Sequence, residues 1–337
     1  MNSTFDPANC TYATCSVEDY GQLGYIPSLA GNAFYLAVFC LACVAQILLG
    51  IRYRTWGFTV GMVGGIGLEM MGYISRIQLH FDDFNNNYFI IYLVGLTIGP
   101  AFFSGAIYIC LARIIAVYGT RLSVLSPRAI TIIFVGCDFF SLVLQAGGGA
   151  LTSLDISPSL NQTGINMMIA GLASQVASTT AFCGICLQIV FSIHTKPDLI
   201  NRNSTALRKR LTFQLFLSAH RNSWDTLAIA IATVTILIRC SFRVAELSKG
   251  FGSALANDQV MFMVLDGAMM SLAVLALSTG HPGPALGTGM WEQSGFKLLG
   301  GKSKMAERPI AYDLAGTPEA AFSRRSMRGV GRAVLGK

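Results

Sequence analysis

Seven apolar runs, separated by short polar segments, occupy most of the chain. They cover residues 29–50, 56–78, 88–112, 129–151, 164–191, 225–247 and 259–280. Each run is close to the roughly 20 residues that an α-helix needs to cross a bilayer. The pattern predicts an all-α integral membrane protein, with a seven-transmembrane helix bundle over 29–280. A polar leader, 1–28, precedes the bundle, and a Gly-rich basic tail, 281–337, follows it.

The composition supports a membrane protein. The chain has 53% hydrophobic and only 12% charged residues, whereas a soluble domain carries roughly 25% charged residues. A soluble fold could not bury that much apolar surface. The tail lacks apolar periodicity, so we expect it to be mostly disordered and to touch anionic lipid.

The positions of the basic residues predict the orientation. Twenty of the 24 Lys and Arg residues follow the first, third, fifth and seventh runs. Basic loops stay on the cytosolic side, which places the N-terminus outside and the C-terminus in the cytosol. Outside the cell, Asn9 in Asn9-Cys10-Thr11 would be a glycosylation site, and Cys10 and Cys15 could form a short disulfide.

The fourth run carries an unusual polar stripe. Asp138, Ser141 and Gln145 share one helix face, because they are three and four residues apart. An acid and an amide inside a membrane helix are costly unless polar groups face them. Gly147–Gly149 follow, and we interpret them either as a hinge or as a simple helix end.

Other charged residues lie at similar predicted depths. The second run places Glu69, Tyr73 and Arg76 on one face, and the ends of the later runs add further charges. We expect one polar cavity open towards the outer leaflet. Its predicted members are Glu69, Tyr73, Asp138, Gln145, Arg239 and Asp266, with Arg76, Arg243 and Glu246 at the rim. The alternative is a set of separate ion pairs that lock helices together.

Metal, cofactor and nucleotide chemistry find no support in the sequence. The four histidines lie at the ends of runs or in loops without ligand spacing, and the two CxxC pairs lie in apolar runs. GxxxxGK[ST] does not occur, so this chain would not hydrolyse ATP. We expect a non-enzyme without a cofactor, without a metal site and without a nucleic-acid partner.

These motifs resemble the fungal lipid-translocating exporters, also called the resistance-to-aminocholesterol family. The matching pieces are Glu69-x-x-Gly72-Tyr73-x-x-Arg76, Asp138 with Gln145-x-x-Gly148-Gly149, Arg239 with Arg243 and Glu246, Asp266, and His281-Pro282-Gly283. Phe242, Asn257-Asp258 and the stretch 194–225 depart from that pattern. The resemblance implies a fungal seven-span protein that moves sphingoid long-chain bases and gives tolerance to toxic amphiphiles.

The function predicted on this basis is translocation of amphiphilic lipids at the plasma membrane. Carboxylates would bind the ammonium head while the alkyl tail stays in lipid. The alternative is a seven-span receptor-like sensor or regulator of lipid asymmetry. Against a receptor, Leu111-Ala112-Arg113 is not the usual acid-Arg-Tyr ending of a third span.

Overall fold

The computed structural model describes residues 12, 16–17, 21, 23–118, 123, 125–153, 157–195, 228–248 and 258–283. The predictions for Asn9, Cys10 and Cys15 lie outside these residues, as do segment 196–227 and the tail beyond 283.

Helices make up nearly all of the described chain, as the apolar runs predict. The helices are α1 (Leu29–Tyr53), α2 (Trp56–Phe81), α3 (Asn86–Tyr118), α4 (Pro127–Ser153), α5 (Pro158–Thr195), α6 (Ala228–Ser248) and α7 (Gln259–Thr279). Six of them, all except α6, are long and apolar enough to cross a membrane. The prediction of an all-helical membrane protein is therefore confirmed, and α6 is the helix that carries Arg239, Arg243 and Glu246.

Most helices extend a few residues beyond the apolar runs, because their ends have polar or proline residues. Pro127 and Pro158 are the first residues of α4 and α5, a position where the missing N–H of proline costs nothing. Ser28 caps α1 by accepting a hydrogen bond from Gly31 N. At the other end of α1, Arg54 adopts a left-handed conformation with φ 53° and donates its N–H to Gly50 O. Only Arg54 and Thr55 therefore join α1 to α2.

Neighbours along the chain pack side by side, and α7 returns to α1, so the helices form a ring. α3 also contacts α6 across this ring. Phe139, Leu187 and Val260 are among the large apolar side chains exposed on the outside. Charged and polar side chains, including Glu69 and Arg239, are buried inside. This arrangement is typical of a bundle whose solvent is lipid.

Small residues bring α2 close to α3. A Cβ on Gly61 would lie 3.0 Å from Ala106 Cβ, and one on Gly95 would lie 2.7 Å from Leu68 O. Such contacts require glycine, because the backbones approach too closely for a side chain. The same glycine-rich stripe of α2 leads directly to Glu69.

The three glycines of α4 lie inside the helix, which continues to Ser153. Gly148 packs against α5, since a Cβ there would lie 2.5 Å from Gly164 O. In this structure Gly148 therefore serves helix packing, and the hinge stays a prediction.

The first residues after α7 pack back onto the bundle. His281 is buried at the α1–α2 connection, with its ring edge-on to Phe58 at 5.2 Å. Its Nδ1 accepts a hydrogen bond from Gly283 N at 3.0 Å, and its Nε2 lies 3.4 Å from Thr55 Oγ1. Burial lowers the pKa of His281 to about 4. The neutral ring thus ties the end of α7 to α1 and α2.

Candidate polar site inside the bundle

Glu69 is the centre of a polar site formed by α2, α3, α6 and α7. Its side chain is completely buried and lies against the backbone of Gly99, where a Cβ would be 2.8 Å from Glu69 Oε1. Among the residues that the structure describes, neither carboxylate oxygen of Glu69 has a hydrogen-bond partner. A buried carboxylate without donors is costly, so this side chain is a candidate ligand-binding group.

Arg239 supplies the nearby positive charge. Its Nε lies 2.5 Å from Asp266 Oδ1, and both side chains are buried. Its Nη2 donates a hydrogen bond to the carbonyl of Leu96. That carbonyl is open because Pro100, four residues later in α3, has no N–H to donate. Arg239 therefore joins α6 to both α7 and α3.

Asp266 lies in a distorted part of α7. Residues Met263–Ala268 form a π-helical segment, which is often associated with functional sites. Tyr35 of α1 donates its hydroxyl to Met263 O at 2.7 Å. Its ring lies against Gly267, where a Cβ would be 2.6 Å from Tyr35 Cε2. Tyr35 and the missing side chain of Gly267 together support the segment that carries Asp266.

Tyr73 completes the polar site, which we define as Glu69, Tyr73, Arg239 and Asp266. The Tyr73 ring packs between Tyr35 and Phe39, 5.5 Å and 5.6 Å from their ring centroids. Its buried hydroxyl has no hydrogen-bond partner within the described residues. Glu69 interacts electrostatically with Arg239 and Asp266. The site thus contains two acids and one base.

The members of the polar site lie at comparable depths. Glu69 is 12 residues before the end of α2, and Arg239 is nine before the end of α6. Asp266 is eight residues after Asp258, the N-cap of α7. At 1.5 Å per residue these separations are about 12–18 Å from the same end of the bundle. We call this the leader end, because residue 29 lies there.

Arg76 does not lie at an exposed rim, which corrects the sequence-based placement. It is completely buried beside the leader. Its Nε donates to Asn32 Oδ1 at 3.2 Å, and its Nη2 donates to Tyr25 Oη at 2.9 Å. The guanidinium also lies over the rings of Phe262 and Tyr92, at 3.8 Å and 4.8 Å. Aromatic faces replace the headgroup contact that a rim arginine would have.

Arg243 and Glu246, the other two residues predicted at the rim, form an ion pair with each other. Arg243 Nη1 lies 2.8 Å from Glu246 Oε2, one turn apart on α6, and Arg243 is largely buried. Because each charge already has its partner, this pair offers less binding capacity than Glu69.

The leader covers this end of the bundle through Asp83. Leu23 N donates to Asp83 Oδ2 at 3.3 Å, and Tyr12 Oη accepts from Asp83 N at 3.1 Å. His80 Nδ1 lies 2.7 Å from Pro27 O. Burial raises the pKa of Asp83 to about 7. Together with the contact between Tyr25 and Arg76, these bonds hold the described leader residues against the end of α2 and the turn that follows it.

Asp138 and Gln145 lie apart from the polar site. Asp138 Oδ2 accepts a hydrogen bond from Tyr108 at 2.9 Å. Gln145 Nε2 donates to Gln175 Oε1 at 3.4 Å. No hydrogen bond or ion pair within the described residues joins either one to Glu69, Arg239 or Asp266. The structure therefore brings together four of the six predicted binding residues.

Several partners of these residues were not predicted from the sequence, namely Tyr35, Leu96 with Pro100, and Tyr108. The one available signal was Pro100, because a proline in a transmembrane helix leaves a carbonyl open for a donor. In the described part of the chain, no group of three His, Cys, Asp or Glu residues could hold a metal ion.

Comparison with known protein families shows which family the chain belongs to. The family model described as RTA1 like protein matches residues 62–288, a range that includes every residue of the polar site. The chain belongs to the RTA1-like family. No solved structure matches it.

Three relatives come from Saccharomyces cerevisiae. The sphingoid long-chain base transporter RSB1 is 32% identical over 279 residues, which is 77% of this chain and 73% of RSB1. Protein RTA1 is 27% identical over 77% of this chain and 84% of its own length. Protoporphyrin uptake protein 1 is 28% identical over 64% of this chain and 66% of its own length.

Proposed function

We propose that this chain is a translocase for amphiphilic lipids with an ammonium head group, such as sphingoid long-chain bases. One observation carries the proposal. The carboxylate of Glu69 is buried inside a membrane bundle, carries no hydrogen bond from the described residues, and belongs to a site with an excess of acid.

The chemistry of such a ligand fits this site. An ammonium group has three N–H donors and a positive charge. Arg239 is already engaged by Asp266 and by the Leu96 carbonyl. Glu69 therefore keeps acceptor capacity for an incoming ammonium, and its charge would offset the cost of moving the cation out of water. The free hydroxyl of Tyr73 could take a hydroxyl group of the head.

The apolar outer surface of the bundle fits the alkyl tail of such a ligand. Large apolar side chains such as Phe34 and Val60 face outwards on α1 and α2. An alkyl tail could remain among lipid chains beside them while the head enters the bundle. Removal of toxic amphiphiles from one leaflet would then give tolerance to them.

The relatives support the same class of substrate. RSB1 is named as a transporter of sphingoid long-chain bases. From this likeness we infer a transporter rather than an enzyme, acting as a multi-pass protein of the plasma membrane.

We extend the proposal to the topology. Seven spans, with α6 as the sixth, would leave the leader outside and the tail in the cytosol, in keeping with the positions of the basic residues. Asn9 would then be glycosylated, Cys10 and Cys15 would form a disulfide, and Gly147–Gly149 would act as a hinge. The basic tail would contact anionic lipid.

The test is translocation by the purified full chain in liposomes, measured with a tail-labelled fluorescent long-chain base. We expect the wild type to accelerate translocation and Glu69→Gln to remove most of the acceleration. Glu246→Gln is the matched control, because Glu246 already pairs with Arg243 and lies on α6.

Equal rates for wild-type and empty liposomes would refute a translocase and would favour a sensor or regulator of lipid asymmetry. Full activity of correctly folded Glu69→Gln would refute the role of Glu69. Equal losses in both variants would show that the effect does not depend on the polar site.

A further inference from the structure

Asp138 is a second buried acid that the polar site does not use. Its side chain is 4% exposed, in the middle of α4. The rings of Tyr108, Phe134 and Phe182 pack against one another beside it, with centroids 4.6–5.5 Å apart. The carboxyl group therefore lies in largely apolar surroundings.

The groups that face Asp138 are uncharged hydroxyls and a thiol. Tyr108 of α3 donates to Oδ2, Ser178 of α5 faces the carboxyl, and the buried Cys240 of α6 lies near it. The ion pairs among the described residues join Arg239 to Asp266 and Arg243 to Glu246, and Asp138 takes part in neither. Neither of these ion pairs, nor the bond from Tyr108, gives a carboxylate here a basic partner among the described residues.

One oxygen of Asp138 has room for a proton. Neither Asp138 Oδ1 nor Ser178 Oγ has an aligned hydrogen-bond partner within the described residues. A proton on Oδ1 could be donated to Ser178, while Oδ2 keeps the bond from Tyr108. Such a carboxylic acid would satisfy the site without charge. Ionisable side chains inside membrane bundles often mark proton relays.

A row of polar groups between α4 and α5 leads from Asp138 towards the leader end. Ser141 Oγ lies 2.6 Å from Ser174 Oγ, and Gln145 donates to Gln175 at 3.4 Å. Asp138 and Gln145 are seven residues apart, about 10 Å along the helix. Ser141, Gln145 and their partners on α5 thus give Asp138 polar neighbours between α4 and α5.

Cys240 connects Asp138 to the polar site. Its thiol is buried, and it lies near Asp138, Arg239 and Asp266. Because Arg239 is the adjacent residue on α6, a change of charge at Asp138 would act on the helix that holds the ion pair with Asp266.

We propose that Asp138 binds and releases a proton, and that this step couples lipid translocation to a transmembrane pH gradient. The proton adds to Oδ1 from one side of the membrane, converts the carboxylate to the acid, and leaves to the other side. No other bond changes. The inference rests on the proposed lipid translocation and adds its source of energy.

The first experiment uses the full chain in liposomes with an imposed pH gradient and the tail-labelled long-chain base. With one proton exchanged per lipid, a gradient of one pH unit would bias its distribution by up to about tenfold. We expect wild type to follow the gradient and Asp138→Asn to translocate without following it. Empty liposomes correct for trapping of the free amine. A response of Asp138→Asn equal to that of wild type would overturn the proposal.

The second experiment reads the proton site without transport. An apolar carbodiimide reacts with protonated carboxyl groups inside membranes, and mass spectrometry locates the adduct. We expect Asp138 of the wild type to be labelled at low pH and protected at high pH, with Ser178→Ala shifting the midpoint. Labelling that does not depend on pH, or absence of labelling throughout, would overturn proton binding.

The two experiments separate the claims. Absence of translocation by wild type, with pH-dependent labelling of Asp138, would refute the proposed function and the coupling to it, and would leave proton binding by Asp138 standing. Translocation that ignores the gradient would refute only the proton coupling.

Discussion

Replacement of Arg239 should lower the unfolding free energy of the bundle more than neutralisation of its ion-pair partner Asp266. Arg239→Met deletes the only base of the polar site and leaves Asp266 and Glu69 buried without it. It also removes the donor to the Leu96 carbonyl, which Pro100 leaves open. Asp266→Asn leaves Arg239 in place, and Glu69 remains nearby as an alternative acceptor.

The magnitudes follow from burial. Breaking a buried ion pair from one side costs about 3–5 kcal/mol, and an orphaned carbonyl adds about 1–3 kcal/mol. Arg239→Met should therefore lose at least about 4 kcal/mol of unfolding free energy. Asp266→Asn replaces a charged acceptor by a neutral one, so its loss should stay near 1–3 kcal/mol, roughly that of a weakened hydrogen bond.

The variants would be purified in detergent and heated to a series of temperatures. The fraction of protein that still elutes as a folded species would be measured at each temperature. Arg243→Met is the control, because its ion pair with Glu246 lies within α6 and does not join two helices. We expect Arg243→Met to be the most stable of the three variants, Asp266→Asn to be less stable and Arg239→Met to be the least stable. If Asp266→Asn were as unstable as Arg239→Met, Glu69 would not act as an alternative acceptor for Arg239, and this prediction would be refuted.

Two groups outside the spans should make stability depend on pH in opposite directions. Burial raises the pKa of Asp83 from 3.8 to about 7, so the folded state keeps a proton that the unfolded state loses, and stability should fall between these pH values. In a pH series of melting temperatures, Asp83→Asn should therefore make the slope against pH more positive than in wild type. Burial lowers the pKa of His281 from 6.5 to about 4, so stability should rise over that interval. Because the two contributions overlap and oppose each other in wild type, His281→Gln should make the slope of stability against pH more negative than in wild type between about pH 4 and 6.5. A slope identical to that of wild type would contradict the assignment.

The helices could be predicted from sequence because each apolar run has the length of a bilayer. The observed helices extend beyond the apolar runs for a local reason. Pro127 and Pro158 start helices although they are not part of an apolar run, and α5 begins six residues before its predicted start. Periodicity also placed Glu69 and Tyr73 on one face, which the structure shows as buried.

The partners of the charged residues could not be predicted in the same way. Whether Arg76 reaches the rim or the rings of Phe262 and Tyr92 depends on how α2 is rotated in the bundle. Asp138 shares the charge pattern of the polar site, but α4 packs against α3 and α5. Its hydrogen-bond donor is therefore Tyr108, and Ser178 lies beside it. Sequence spacing defines a face of one helix and does not determine which neighbour that face meets.

Loss of ligand preference in one variant is the most direct test of the account. The affinity of the purified chain would be measured for a long-chain base and for its N-acetylated analogue, which has the same tail without the ammonium charge. We predict that wild type prefers the free base, and that Glu69→Gln binds the two molecules about equally while Glu246→Gln keeps the preference. A preference for the free base that survives in folded Glu69→Gln would contradict the central claim that this buried carboxylate binds the ammonium head.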